Sequence, residues 1–167
     1  MIDLYETGIN DAAELARIQV DSWQSYRDIF SPAYMASYNS FENRFLNWMD
    51  LLKRDIDRTY LIRDEGRTVG YVTIGYPRDD DLPSTTMELT SLYLKTEEQG
   101  KGYAAHIVRR VLEELKAAGY KRLSLWVLKD NQRAIDFYRH FDFGFDGVEM
   151  TLPIHGAILQ TRMSRPL

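Results

Sequence analysis

The sequence lacks cysteine altogether. This absence excludes a disulfide framework, a thiolate metal site and a cysteine nucleophile. Positive charge is not in excess either: the formal net charge is −4 at pH 7, whereas a nucleic-acid-binding domain needs a basic surface. No apolar run approaches the length of a membrane span, and the first residues have neither the basic region nor the apolar run of a signal peptide. We therefore expect a cytoplasmic protein with neither nucleic acid nor a membrane as a partner.

Linkers and internal repeats are also missing from the 167 residues. Hydrophobic residues make up 44% of the chain and aromatic residues 13%, which is enough apolar material for a sizeable buried core. The sequence therefore predicts a single domain that spans residues 1–167.

The spacing of apolar residues predicts the order of strands and helices. The predicted strands cover residues 2–5, 60–62, 69–74, 87–94, 123–128, 145–152 and 157–163. One predicted helix begins near residue 11, and three others cover residues 41–52, 102–118 and 131–140. The apolar stripe of the 41–52 helix fits core packing or the aromatic wall of an acceptor pocket. The strand–helix–strand unit over 89–128 predicts one parallel crossover. The predicted fold class is α+β, with a mixed, mostly antiparallel central sheet flanked by helices.

A glycine-containing loop connects a predicted strand to a predicted helix. Its sequence is Gln99-Gly100-Lys101-Gly102-Tyr103-Ala104. The first amides of a helix lack internal acceptors and lie at the positive end of the helix dipole, so a diphosphate can bind there. The two glycines let the backbone come close and adopt unusual φ values. Alone, the loop also fits another nucleotide site or a simple turn, and it is neither a dinucleotide fingerprint nor a Walker loop.

A second segment follows the predicted strand at 123–128. On the helix after it, Asn131, Ala134 and Tyr138 share one face. An amide, a small side chain and a phenol on one face can flank a slender ligand, and the phenol can donate a proton to a leaving group. The alternative is that Tyr138 is a half-buried core tyrosine.

Together these segments resemble the GCN5-related N-acetyltransferase (GNAT) superfamily. The resemblance covers residues 88–143 closely and the N-terminal half in element order only. It depends on four motifs in order: Leu92-Tyr93-Leu94, Gln-x-x-Gly-x-Ala at 99–104, Leu-Trp-Val at 125–127, and Asn-x-x-Ala-x-x-Phe-Tyr at 131–138. Any one of them is weak, whereas four on the expected elements are specific.

The resemblance implies the GNAT fold and an enzyme that uses acetyl-coenzyme A as acetyl donor, without a metal. It implies that residues 92–94 pair with the pantetheine arm, that the amides of 100–105 hold the pyrophosphate, and that Tyr138 is the general acid beside the sulfur. It also implies that strands 87–94 and 123–128 splay apart. The cofactor-binding residues implied in this way are Leu92, Tyr93, Leu94, Gln99, Gly100, Lys101, Gly102, Tyr103, Ala104, Ala105, Asn131, Ala134 and Phe137.

A base must take a proton from the amine, because an alkyl ammonium with a pKa near roughly 10 cannot attack a thioester. Glu88 is the candidate. It lies six residues before Leu94, where the histone-acetylating branch of the family carries its base, and strand alternation puts both on one face. The alternative is a solvated charge at the start of a strand.

Two positions depart from the family pattern. Asp142 stands before Phe143 where the family often has glycine, and an aspartate tolerates the left-handed conformation that a helix end requires. Trp126 stands where some members that acetylate peptide N-termini carry a glutamate base. This second departure argues against an acceptor of the ribosomal-protein type.

The acceptor is the least specified part. The resemblance places its site near the first two helices and the last hairpin, where Trp23, Tyr26 and Phe30 are the candidate substrate-binding residues. The alternative for these aromatics is helix packing. His155 could reach the same pocket, and the acidic loop 79–81 either attracts a cationic amine or is a solvated turn.

The expected acceptor is the primary amine of a small molecule such as a polyamine or an amino acid. The alternatives are a protein or peptide amine, and a non-catalytic acyl-coenzyme A sensor. A homodimer is common in the family.

Overall fold

The computed structural model describes residues 1–152 and 158–167. The strands are β1 Ile2–Glu6, β2 Arg58–Asp64, β3 Arg67–Gly75, β4 Thr86–Leu94, β5 Arg122–Leu128, β6 Gly144–Thr151 and β7 Leu159–Pro166. The helices are α1 Ala12–Ser22, α2 Pro32–Tyr38, α3 Phe41–Arg54, α4 Tyr103–Ala117 and α5 Gln132–Arg139. Short 3₁₀ turns cover Ile9–Asp11, Trp23–Tyr26 and Thr96–Glu98.

The seven strands form one sheet in the order β1-β2-β3-β4-β5-β7-β6. The pairs β1–β2, β2–β3, β5–β7 and β6–β7 are antiparallel. β4 and β5 pair in parallel and are connected through α4. The predicted fold class, with its single parallel crossover, is therefore confirmed.

The contacts divide the chain into two compact units, and the single domain stays a prediction. The first unit comprises residues 1–75 and 91–105, and the second comprises residues 76–90 and 106–167. In the first unit the core includes Leu15, Trp48, Leu61 and Tyr71, which are all at most 4% exposed. The other apolar residues of the α3 stripe pack against this core, so the core-packing interpretation of that stripe is confirmed.

In the second unit α4 buries one face through Ile107, Val108 and Val111. The helix ends as its sequence predicts. Gly119 adopts a φ of 89°, and its amide donates to the carbonyl of Lys116 at 3.1 Å. A left-handed residue just past the last turn satisfies carbonyls that the helix leaves unpaired.

Asp142 adopts the left-handed conformation that was expected of it, with a φ of 60°. The amide of Phe143, the next residue, donates to the carbonyl of Tyr138 at 3.2 Å, and the Phe143 ring is buried. The aspartate therefore replaces the usual glycine without changing the end of α5.

Helix α2 was not predicted. Ser31 accepts a hydrogen bond from the amide of Tyr34 at 3.2 Å, and Pro32 is the first helical residue. A serine cap followed by proline is a helix-start signal, so the Ser-Pro pair marks the beginning of α2. The predicted strand at 157–163 is also shifted: β7 is Leu159–Pro166. His155 lies outside the described residues.

Within residues 1–152 and 158–167, none of the helices combines the length and the apolar character that crossing a membrane would require.

Gly70 on β3 provides a test of how tightly the first unit is built. A Cβ at this position would contact the carbonyl oxygen of Tyr93, and it would lie 2.7 Å from the Leu94 side chain. We expect Gly70→Ala to lower the free energy of unfolding by about 1–3 kcal/mol, because overpacking forces the backbones apart. Gly144→Ala is the matched control, since a Cβ on this strand glycine meets nothing within 4 Å. Denaturant titration of both variants measures the difference, and equal losses would contradict the expectation.

Candidate active site

The predicted coenzyme segment of the first unit runs from the end of β4 into α4. Leu94 ends β4 and is 8% exposed. Gly100 and Gly102 then adopt φ values of 77° and 89°, which side chains rarely tolerate. A Cβ on either glycine would meet nothing within 4 Å. The predicted glycine conformations are therefore confirmed, and the space beside this backbone is open.

Helix α4 begins directly after the second glycine, at Tyr103. The amides of a first helical turn have no acceptor within the helix, and the dipole adds partial positive charge. Open space beside a bare backbone that leads into this turn fits a diphosphate, which accepts hydrogen bonds from such amides. The structure therefore places residues 92–94 and 99–105 on one continuous segment, whose loop and first helical turn are suited to binding an anion.

A buried carboxylate that was not predicted anchors this loop. Glu98 is 3% exposed, and its carboxylate oxygens lie 3.0 Å from the ammonium of Lys101 and 3.3 Å from the guanidinium of Arg67. The hydrogen bond from Lys101 lowers the pKa of Glu98 below its ordinary value. The charge of Lys101 is thus shared with a protein carboxylate and is not reserved for a ligand.

Two further hydrogen bonds attach the segment to the first unit. The phenol of Tyr103 donates to Asp64 at 2.8 Å, and this bond raises the pKa of Tyr103. The amide of Thr96 donates to the carboxylate of Asp21 at 2.6 Å. The loop is therefore held at its start, at Glu98 in its middle and at its end, which preorganises the amides between those points.

In the second unit, α5 carries the other predicted cofactor residues. Asn131 caps the helix, because its Oδ1 atom accepts from the amide of Ala134 at 3.1 Å. The capping bond fixes the orientation of the side-chain amide, whose Nδ2 atom is a donor. Phe137 packs edge-on against Tyr138, with ring centroids 5.1 Å apart.

Tyr138 is half-buried. Its ring also packs edge-on against Phe143 at 5.6 Å. Ring packing of this kind fixes the direction of the phenol, as both a proton donor and a core tyrosine would require.

Glu88 lies within β4 and is only 7% exposed. In the parallel register it pairs with Ser124 of β5. The interpretation of Glu88 as a solvated charge is therefore wrong.

The acidic loop 79–81 is neither free nor merely solvated. Asp81 forms a two-pronged ion pair with Arg162, with distances of 2.8 and 2.6 Å. Asp146 accepts from the same guanidinium at 2.6 Å, and Asp79 accepts from the indole of Trp126 at 3.1 Å. The hydrogen bond from Arg162 lowers the pKa of Asp81. Asp81 and Arg162 are 81 residues apart in the sequence, so no local sequence pattern could predict this cluster.

The candidate substrate residues of the first unit belong to a row of rings. Phe30 stacks on Trp23 at 5.3 Å and on Tyr34 at 5.0 Å, and Tyr26 meets Trp23 edge-on at 5.2 Å. Burial raises the pKa of Tyr34 to about 12. The structure thus brings Trp23, Tyr26 and Phe30 together, and it adds Arg44, which sequence reasoning missed.

Metal-ligating side chains do not converge in the part of the chain that the structure describes: it contains no group of three or more histidine, aspartate or glutamate residues that could hold an ion.

The lowered pKa of Glu98 predicts a pH dependence of stability. Because the folded-state pKa lies below the ordinary value of 4.5, the ion pairs stabilise the protein above that value, and the contribution is lost as the pH falls through the lowered pKa. We therefore expect the stability difference between wild type and Glu98→Gln to shrink from about pH 7 to about pH 4 and below. Arg67→Gln removes only the more exposed partner and should reduce the dependence in part. Denaturant titrations at each pH measure the free energies of unfolding. A difference between wild type and Glu98→Gln that does not change with pH would contradict the expectation.

Comparisons with known proteins agree with this geometry. The Acetyltransferase (GNAT) family model matches residues 23–143. An uncharacterised N-acetyltransferase of Mycobacterium tuberculosis is 31% identical over 143 residues, which cover 83% of this chain and 86% of that protein. The uncharacterised N-acetyltransferase YuaI of Bacillus subtilis is 26% identical over 145 residues, which cover 84% and 79%.

Solved structures show the same fold. The PaiA N-acetyltransferase of Thermoplasma acidophilum in complex with coenzyme A has a TM-score of 0.74 at 19% identity, covering 100% of this chain and 99% of that one. The spermidine/spermine N-acetyltransferase SpeG of Vibrio cholerae has a TM-score of 0.69 at 19% identity, covering 99% and 93%. The family match covers most of the chain, including both predicted cofactor segments, so the protein belongs to the GNAT family and is an acetyl-coenzyme A-dependent N-acetyltransferase.

Proposed function

We propose that the protein acetylates the primary amine of a small molecule, such as a polyamine or an amino acid, by direct attack. Acetyl-coenzyme A supplies the acetyl group as a thioester. The amine nitrogen forms a bond to the carbonyl carbon, the carbon–sulfur bond breaks, the ammonium proton goes to a base, and the coenzyme leaves as a thiol. The burial of Glu88 within β4 carries the proposal, because it supplies a carboxylate in a site shielded from water.

The proposed coenzyme ligands of the first unit are mostly backbone groups. Those of Leu92 and Leu94 pair with the pantetheine arm, and the amides of residues 100–105 bind the pyrophosphate. The open space beside Gly100 and Gly102 supports this assignment. The hydrogen bonds and ion pairs that hold the loop already order its backbone, so coenzyme binding loses less conformational entropy.

In the second unit, α5 contributes both to coenzyme binding and to proton transfer. The Nδ2 atom of Asn131 donates to the pantetheine or to a bridging water, and Ala134 leaves room for it. Phe137 and Phe143 hold the ring of Tyr138, and its phenol protonates the departing sulfur. The backbone amide near Leu92 polarises the thioester carbonyl as an oxyanion donor does.

Glu88 acts as the general base in this proposal. It takes the proton from the acceptor ammonium directly or through one water, which makes the nitrogen nucleophilic. Some members that acetylate peptide N-termini carry a glutamate base on the fifth strand, where this chain has Trp126, and that indole donates a hydrogen bond to Asp79. This departure argues against a peptide acceptor of the ribosomal-protein type.

The proposal is tested by incubating the protein with acetyl-coenzyme A and separate pools of polyamines, amino acids and peptides, while a thiol-reactive dye follows coenzyme release. The chain contains no cysteine, so the dye reads the coenzyme thiol alone. Release with a small-molecule pool supports the proposal. Release with peptides alone would replace it by a protein acceptor, and coenzyme binding without release from any pool would favour a sensor.

Tyr138→Phe separates chemistry from binding. The variant keeps the ring that packs against its neighbours but loses the phenol. We expect coenzyme affinity within about twofold of wild type, and a kcat lowered by about 10²–10⁴. Calorimetric titration measures the affinity for the coenzyme, and the thiol-release assay measures kcat. The exposed Tyr5→Phe is the control, and an unchanged kcat in Tyr138→Phe would remove the phenol from the mechanism.

Glu88→Gln tests the base through its dependence on pH. We expect kcat/KM to fall by about 10²–10⁴ near pH 7. The deficit should narrow as the pH approaches the acceptor's own pKa of roughly 10, because a neutral amine needs no base. The exposed Glu113→Gln on α4 should match wild type throughout. A deficit in Glu88→Gln that stays the same at every pH would indicate a structural role.

A further inference from the structure

Arg44 on α3 is a buried cation in the aromatic row of the first unit. It is 3% exposed. Its guanidinium lies 4.0 Å from the ring centroid of Trp23 and 4.5 Å from that of Tyr38, and its Nε donates to Asn39 at 3.1 Å. Its Nη2 atom is buried without a hydrogen-bond acceptor. A guanidinium carries five donors and keeps its charge in proteins, so part of its binding capacity is unused.

No carboxylate neutralises this charge among residues 1–152 and 158–167. The second buried arginine of the protein shows what is missing. Arg162 is also 3% exposed, yet three aspartates lie within 3.4 Å of it. A buried charge without a counter-ion is costly unless something pairs with it. Arg44 therefore lacks an anion that the chain itself does not supply.

Two aromatic side chains of the same unit also carry a buried polar atom without a hydrogen-bond partner. These atoms are the indole nitrogen of Trp23, whose ring lies against Arg44, and the hydroxyl of Tyr71. Each has a polar neighbour, Tyr93 and Ser91 respectively, that does not complete a bond of normal geometry. Buried polar groups are almost always bonded to protein or to a bound molecule. Of these atoms, the nitrogens of Arg44 and Trp23 belong to side chains in direct contact, and together they offer two neighbouring donors to a bound molecule.

The charge of Arg44 also acts on the rings around it. Burial raises the pKa of Tyr71 and of Tyr93, and the positive charge of Arg44 opposes this rise in both. Tyr93 contacts both Tyr71, at 5.6 Å, and Tyr26, at 6.5 Å. The field of the guanidinium therefore extends from the candidate acceptor residues to the end of β4.

From this geometry we infer that the acceptor amine also carries a carboxylate, which binds the guanidinium of Arg44 and selects amino-carboxylic acids over polyamines. The inference rests on the proposed function. Arginine matches a carboxylate with two parallel hydrogen bonds, whereas a polyamine would add positive charge beside a cation that is already uncompensated. Access is through Tyr38, which covers Arg44 and is 38% exposed, because the side chains of exposed residues change rotamer rapidly.

The experiment compares matched acceptors in the thiol-release assay. Each set contains an amino acid, its amide and the amine without the carboxyl carbon, with spermidine as the polycation. For wild type we expect kcat/KM at least about tenfold higher for the acid than for its amide, since charged hydrogen bonds are lost with the carboxylate. Faster release with amides or with spermidine would overturn the inference while leaving the acetyltransferase function intact. No release from any acceptor would overturn both the inference and the small-amine proposal.

Arg44→Gln locates the selectivity. We expect it to lose the preference for the acid through a raised KM, while kcat/KM for the amide changes by about twofold or less. Arg17→Gln is the matched control, because Arg17 is an exposed arginine over a ring of the same unit, Phe41 at 5.4 Å. A preference that survives in Arg44→Gln would overturn the inference. The wild-type comparison of acid with amide decides the matter even where Arg44→Gln does not fold.

Discussion

Strand β4 has to satisfy two different sets of neighbours, and the rest of the molecule depends on this. In the second unit its first residues pair with β5, and the registered pairs end at Glu88. In the first unit its last residues lie so close to Gly70 that no side chain fits between the backbones. One end is thus held by a sheet ladder and the other by close packing, while the carboxylate between them is buried. β4 therefore carries both Glu88, the proposed base, and residues 92–94, which are proposed to pair with the pantetheine arm.

Buried charge is handled in three ways in this protein. Arg162 is surrounded by aspartates of the chain, and Glu98 is paired with Lys101 and Arg67. In both clusters the buried charge is paired with opposite charges of the chain, and these ion pairs fasten loops to strands. Arg44 is instead stabilised by two aromatic faces and one amide oxygen, without an aspartate or glutamate of the described residues. Buried charges with a structural role are thus paired with other residues of the chain, whereas a buried charge without a counter-ion is suited to binding a ligand reversibly.

The sequence predicted those features whose cause is local. Gly100 and Gly102, and the left-handed Asp142, are dictated by backbone conformation, which neighbouring residues reveal. The sheet followed from strand periodicity, and the family motifs marked both predicted cofactor segments. The missed features are contacts between distant positions. Asp81 and Arg162 are 81 residues apart, and neither their spacing nor their surroundings distinguishes them from surface charges. Arg44 was hidden for a related reason, because a single arginine on a helix is ordinarily solvated.

The three tryptophans sample the two units separately. Trp23 lies against a guanidinium and Trp48 packs in the core of the same unit, whereas Trp126 belongs to the second unit and donates to Asp79. An indole's emission depends on the charge and polarity around it, so these side chains act as built-in optical probes. Intrinsic fluorescence of this enzyme therefore combines Trp23 and Trp48 of the first unit with Trp126 on β5, whose indole is bonded to the acidic loop. Single-tryptophan variants would separate changes beside the proposed acceptor residues from changes at the acidic loop.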